Sequence, residues 1–509
     1  MKQENPYKPD EFLNSYWGLA LVLLMSIVGA AAIAKGGIVA VAGLIGMPFI
    51  VIFLNKIFLK PEMGITTILS LGFLAIGILR YLPGQIPLGL SIDGFLFLTY
   101  FALFLKSTTG YVPWHKASST LTLLAAIWFG YSLFELINPE ARSKVAWFYA
   151  MRGVSMYQLL LIPLVFILYD KIKYLQFFFL IWGALSILGS MKGVMQLFMG
   201  PDFAEQAWLN NGNAGTHILF GKLRVFSFYS DAGQFGAAQG HAGLVFGILY
   251  LACKEKKRKI FYLIVSLLGI WGMLMSGTRG AIAVPGAGAF IYLILKKNFK
   301  LTTIGFIAMV LFYVFFRYTM LLNGNAQIRR MRTGFDPNNP SLQVRHANQA
   351  ILKGYLASRP FGGGLGSAGS WGLRFTPNGF LANVPTDSWF VAIWAENGIV
   401  GLYLHLGILF YILGYGSYIV LKKLKNPIMI SRIQALVAGH AGIMAVSYGN
   451  GVLGQLPTSV ILYTSMAYIF MAEKLEKEYV ENEQLEQNKL IESSNIIAVK
   501  GKTIKRIKS

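Results

Sequence analysis

The sequence predicts an all-α fold: a polytopic helical membrane protein of about fourteen spans, with one long, partly helical loop on the outer side. Three observations lead there. Of 509 residues, 55% are hydrophobic and only 13% charged, with a mean hydropathy of +0.55, where a soluble chain carries roughly a quarter charged residues. Fourteen apolar runs recur along the chain, most close to the ~20 residues that a helix needs to cross a bilayer and too long for the ~10-residue alternating strands of a membrane barrel. Lipid offers the backbone no hydrogen-bond partner, so such runs become helices. Finally, the links between runs alternate between basic and non-basic.

In order, residues 1–14 are polar, and the first run, 16–34, has no Ala-x-Ala cleavage signal after it, so it is expected to be a retained span. The others fall at 38–55, 64–80, 88–105, 118–137, 154–169, 174–199, 232–252, 260–276, 280–295, 301–320, 388–421, 431–449 and 455–472. With a cytoplasmic N-terminus, Lys56, Lys60, Lys106, Lys116, Lys171, Lys173, the cluster 254–259, Lys296, Lys297, Lys300, Lys422, Lys423 and Lys425 all share one side. The opposite side receives the link near Lys35, the links 81–87, 138–152, 200–230 and 276–280, the long interval 321–386, and the turn 449–454. Run 388–421 is too long for one upright crossing, so its first part is expected to stand above the bilayer or to tilt. The chain thus divides into eleven spans over 1–320, an extracytoplasmic loop over 321–386, three spans over 387–472, and a cytoplasmic tail over 473–509 with a basic end at Lys505-Arg506-Ile507-Lys508.

Forty-five Lys and Arg against 22 Asp and Glu give +23, a balance that in a soluble protein points to nucleic acid. Here much of it is topological, and no nucleic-acid partner is expected. The single cysteine, Cys253, excludes an intrachain disulfide and a cysteine metal site. No His-Glu-x-x-His, no Gly-x-x-x-x-Gly-Lys-Ser/Thr and no Ser-His-Asp order occurs, so no metal or nucleotide cofactor is called for. Asp93, Glu135 and Glu396 stand singly and the halves show no hydropathy repeat, which disfavours a carrier.

Three outer-side places combine cationic and polar groups. Lys222 and Arg224 precede a small-residue helix start at Ser230-Asp231-Ala232-Gly233, where an anion would meet free N–H groups; the same residues would also serve as a helix cap and an interfacial anchor. The turn Ser276-Gly277-Thr278-Arg279-Gly280 sets Arg279 at the membrane edge, suited to phosphate recognition or to plain anchoring. In the long loop, Arg345, Gln349, Leu352, Leu356 and Arg359 follow helical spacing, so one helix face is expected to carry both arginines. Pro360 would end that helix, and the Gly-rich stretch 362–366 could admit a ligand close to the chain. Asp387 and Ser388 open the next run, either as helix caps or, for Asp387, as a carboxylate that takes a proton from an attacking hydroxyl. His346 is the competing base.

These residues resemble the O-antigen ligase and polymerase family. The resemblance is carried by Arg345 with Arg359-Pro360-Phe361-Gly362-Gly363-Gly364, by Asp387-Ser388-Trp389-Phe390 running on to Ala395-Glu396-Asn397-Gly398-Ile399-Val400-Gly401, by Ser276-Gly277-Thr278-Arg279-Gly280, and by Arg224 before Phe228 to Phe235. It covers roughly residues 200–470. It implies a GT-C-like glycosyltransferase of the bacterial inner membrane that uses undecaprenyl pyrophosphate-linked glycan at the outer face, with no cofactor. It further implies membrane lipid around it and a chain-length regulator and a flippase as partners. Arg224 and Arg279 would hold the pyrophosphate, with Arg345, Arg359, His346, Ser388 and Lys222 as further substrate contacts. The family's ligases carry a His-Asn pair nine residues before the Glu of the Glu-x-Gly-Ile-x-Gly stretch, where this chain has Asp387-Ser388. That departure favours polymerisation of repeat units over ligation to a lipid or protein acceptor, with Asp387 in place of the histidine; transport of lipid-linked glycan is the remaining alternative.

Overall fold

A computed structural model describes residues 46–82, 89–219, 221–324, 326–336 and 339–488. Run 16–34, the link at Lys35, most of the link 81–87 and the basic end of the tail lie outside those residues. Every other apolar run meets a helix. The membrane helices are α1 (Gly46–Leu59), α2 (Glu62–Leu79), α3 (Gly89–Thr109), α4 (Thr120–Ile137), α5 (Lys144–Leu168), α6 (Ile172–Phe198), α7 (Ala232–Ala252), α8 (Lys256–Met275), α9 (Arg279–Leu295) and α10 (Phe299–Tyr318). After the short α11 (Ala326–Arg332), α12 (Pro340–Leu356) and α13 (Gly369–Phe375) come α14 (Trp389–Lys423), α15 (Pro427–Ser447) and α16 (Thr458–Phe470). Among the described residues nine of these helices are long and apolar enough to cross a bilayer, and four more apolar helices are shorter. The chain is a multi-pass, all-α membrane protein.

Two expected boundaries shift. The run expected to begin at 154 begins at Lys144, because a π-helical turn, Arg152–Met156, carries the helix past Arg152. That arginine is buried against Asp93, Nε to Oδ2 2.6 Å, so its charge does not end the span as a hydropathy window assumes. The expected link 138–152 shortens accordingly. The long run over 388–421 is one helix broken at Gly398, whose φ of +67° is open to glycine at little cost.

Of the nine long apolar helices, α5, α7 and α15 are the most enclosed. α7 is rich in Ala and Gly, which is why α8 can lie directly on it: a Cβ on Gly269 of α8 would stand 2.7 Å from the Gly243 N of α7. α9 packs on α15 and α7, whereas the main neighbours of α10 are α9 and α11, and much of its surface is exposed.

Side-chain contacts among the described residues gather several of the links into two sets. On the basic side, a helix over 472–488 straps the loops together. Lys474 and Lys116 both reach Asp170 (2.5 and 2.6 Å), Glu478 Oε2 accepts from Ile172 N at the start of α6, and Glu476 Oε1 accepts from Lys425 N and Asn426 N at the start of α15. Each carboxylate sits at a helix N-terminus, where unpaired N–H groups favour negative charge. The other side gathers the described parts of 326–336 and 339–386, the segment before α7, the turn before α9 and the turn after α15.

Candidate functional site

The segment before α7 is built by a two-residue hairpin, Ile218–Leu219 paired antiparallel with Lys222–Leu223, closed by Gly221 at φ +72°. Arg224 follows, its N–H donating to His217 O at 2.7 Å. Its guanidinium donates from Nη1 to Thr216 O and from Nη2 to Thr278 Oγ1, both at 3.0 Å. The Thr278 hydroxyl in turn donates to Ala232 O at 2.9 Å, so one side chain ties the turn before α9 to the first residue of α7 and to Arg224. Asp231 caps α7, with Oδ1 accepting from Gly233 N (2.7 Å) and Gln234 N (3.0 Å).

The neighbouring turn holds Arg279, whose Nη1 donates to Thr333 Oγ1 at 2.9 Å in the short 3-10 turn after α11. α11 presents Arg330 beside Gly277: a Cβ there would lie 3.6 Å from Arg330 Cδ. Burial, with the charges of Arg224 and Arg279 adding to it, pushes the Arg330 pKa down to about 10. Arg224 is shifted the same way, by burial first. From α12, Arg345 approaches Asp387, Nε to Oδ2 3.9 Å, and its Nη1 lies over Gly449. Asp387 has φ +48°, a conformation in which a non-glycine residue is strained and which recurs at functional sites. Asn450 stands between these groups, its Nδ2 2.6 Å from where a Cβ of Gly280 would be.

Arg224, Arg279, Arg330, Arg345, Asp231, Asp387 and Asn450 line one end of a single cavity of about 1370 Å³. Its other end runs between α9 and α10 and is walled by Ala283, Gly286 and Ala289 on the first and Gly305, Ala308, Met309 and Phe312 on the second. Small residues at helical spacing on α9 leave the space, and the apolar side chains of α10 close it. A concave site with a cationic end and an apolar arm suits an amphiphile with an anionic head.

The other residues singled out in the sequence fall elsewhere. Lys222 is exposed on the hairpin and does not line the cavity, and neither does His346, exposed one residue beyond Arg345. Ser388 is buried as the cap of α14, its Oγ accepting from Val391 N (3.4 Å) and donating to Ser447 O (3.2 Å). The expectation that one helix face carries both Arg345 and Arg359 is corrected. α12 ends at Leu356, and Arg359 lies in the turn beyond it, paired with Glu140 (3.1 Å) and stacked 4.1 Å over the Tyr355 ring. The Gly-rich stretch packs against its own chain and lies outside the lining of this cavity. The break at Gly398 frees carbonyls of α14, and the stretch fills them: Gly363 N donates to Ala395 O and Gly364 N to Glu396 O, both at 2.9 Å, while Val400 N donates to Pro360 O at 3.2 Å. The buried Glu396 carboxylate completes the join by accepting from Ala368 N at 3.1 Å.

Arg330 and Asn450 are cavity residues that the sequence alone does not mark. Arg330 lay unseparated in Arg329-Arg330-Met331-Arg332, of which Met331 is buried and Arg332 turns back onto Phe315 O and Leu321 O. The helical period alone cannot say which member faces a cavity that other segments complete. Asn450 carried no signal beyond its flanking glycines.

A curated protein from Salmonella muenchen, described as an O-antigen polymerase, is 26% identical over 228 residues. The chain is similar to an O-antigen polymerase. This agrees with the resemblance to the O-antigen ligase and polymerase family that the motifs carry. The matched part is 42% of this chain and 53% of the relative, so the chain spans about half the length of that curated protein. No protein-family model matches the chain.

Proposed function

We propose that this protein is a membrane glycosyltransferase that polymerises undecaprenyl pyrophosphate-linked glycan repeat units at the outer face of the bacterial inner membrane. The observation that supports it is the continuity of one cavity from four arginines to an apolar arm between α9 and α10. A polyprenyl chain matches the arm, and a pyrophosphate matches planar, always-charged guanidinium groups. The lowered pKa of Arg330 fits the same reading: burial is its main cause and the charges of Arg224 and Arg279 add to it, and a bound anion would offset both.

In the proposed step an acceptor sugar hydroxyl attacks the anomeric carbon of the donor glycan. The new carbon–oxygen bond forms as the bond to the pyrophosphate breaks, undecaprenyl pyrophosphate leaves with the bonding pair, and Asp387 takes the hydroxyl proton. Arg224, Arg279 and Arg330 would stabilise the charge gathering on the leaving oxygen, and Arg345 would orient Asp387. Purified protein given a lipid-linked repeat unit alone should form a ladder of multiples; product only after a separate acceptor is added would mean ligation. Arg279→Ala should lower the rate by about 10²-fold, the usual cost of removing one such donor. An unchanged ladder in that variant would overturn the proposal.

A further inference from the structure

The cavity depends on Arg224, yet 224–231 has no strand or helix of its own to hold it. Two side chains from other segments take up its backbone groups. Gln196, near the end of α6, accepts through Oε1 from Phe226 N (3.1 Å) and Ser227 N (2.8 Å). Arg80, just after α2, donates from Nη1 to Ser227 O at 2.6 Å and from Nη2 to Tyr229 O. Its guanidinium carbon lies 4.5 Å from the ring centroids of both Trp208 and Phe226, which themselves meet at 5.0 Å and 53°. Burial pushes its pKa down to about 10 against the opposing pull of Glu205, Tyr81 and Asp202.

The residue they grip is twisted. Ser227 is buried with φ +51°, and its Oγ donates to Gly189 O at 2.6 Å. A non-glycine residue in that region is strained and persists only where its surroundings impose it. Here they do, through the bonds from Arg80, Gln196 and Gly189. The nearby carboxylates are also occupied: Lys192 reaches Asp202 (2.7 Å) and Glu205 (3.1 Å). This cluster therefore neutralises itself and bears on the cavity through geometry.

We infer that Arg80, assisted by Gln196, is a positioning residue for Arg224: by fixing the Ser227 twist it sets the direction in which the chain leaves the hairpin and so aims the Arg224 guanidinium at Thr278 and the cavity. The inference rests on Arg224 being a pyrophosphate ligand. Lysine cannot replace Arg80, since one ammonium does not offer the planar fork that reaches two carbonyls.

A double-mutant cycle on the purified full chain tests this, with undecaprenyl pyrophosphate in detergent as the probe and its Kd as the readout. Arg224→Ala should weaken binding about 10- to 100-fold, the range for a lost charged hydrogen bond. Arg80→Lys should weaken it about tenfold in the native background and less than twofold alongside Arg224→Ala. Gln196→Met supplies the same cycle from the membrane side if Arg80→Lys does not fold. Unchanged affinity in Arg224→Ala would sink the functional reading itself. If Arg224→Ala weakens binding but the second substitution costs the same in both backgrounds, or if neither second-site variant folds, Arg80 and Gln196 support the fold alone and the inference is overturned.

Discussion

Asp387 combines a strained backbone, a partly exposed carboxylate and a guanidinium 3.9 Å away. Asparagine tolerates the left-handed region as well as aspartate does, so Asp387→Asn separates charge from shape. The variant should keep its thermal midpoint and its affinity for lipid pyrophosphate while losing the product ladder; full polymer formation would end its role as the base. A different test sits at Asp202. Partial burial raises its pKa, but bonds from Lys192, Tyr81 and the Glu205 N–H outweigh that and hold it at about 2. A carboxylate depressed on folding contributes stability above its unfolded value of about 4, and that contribution is lost as pH falls towards 2. Thermal melts between pH 4 and pH 2 should therefore fall more steeply for the native chain than for Asp202→Asn. At this scale the sequence marked Arg224, Arg279 and Asp387, each beside a turn or helix start, and Arg345 by helical spacing, and all four line the cavity. It hid Arg330 and Asn450, whose relevance depends on which way a side chain leaves a short helix or turn.

Among the elements, α14 shows how a sequence feature can be seen and misassigned. Its excess length predicted a first part that tilts or stands above the bilayer; the structure adds a break at Gly398, which the length did not announce. The Gly-rich stretch looked like a ligand loop because glycine tolerates any close neighbour, whether substrate or self. The neighbour is α14, and a Cβ at Gly398 would fall on the Pro360 carbonyl. Gly398→Ala should destabilise the protein by more than the ~1–2 kcal/mol of left-handed backbone alone, since a carbonyl must also move. Its thermal midpoint in detergent, or its failure to accumulate in membranes, checks this; a native midpoint would refute the account. Helix positions were legible because lipid forces apolar runs into helices, while Arg152 misled the window by being buried with its partner Asp93.

For the whole molecule, the cavity is the property that no local pattern announces. It is shared by the hairpin before α7, the turn before α9, α10, α11, α12, the start of α14 and the turn after α15, and only their assembly makes it one space. Gly286 offers a clean probe, because it lines the apolar arm and a Cβ there meets nothing within 4 Å. Gly286→Leu should fill the arm without strain, leaving the melting curve in place while abolishing use of lipid-linked substrate. Retained turnover would show that the arm does not hold the lipid.

The flank of this arm has a kinetic consequence. α10 leans on α9 and α11 with an exposed apolar surface, so a carrier lipid would reach the arginines sideways from the bilayer. Encounters would then be counted per unit of membrane area. On the proposed function, adding empty detergent micelles at fixed molar substrate should slow the reaction by surface dilution, and raising the mole fraction of substrate in each micelle should restore it.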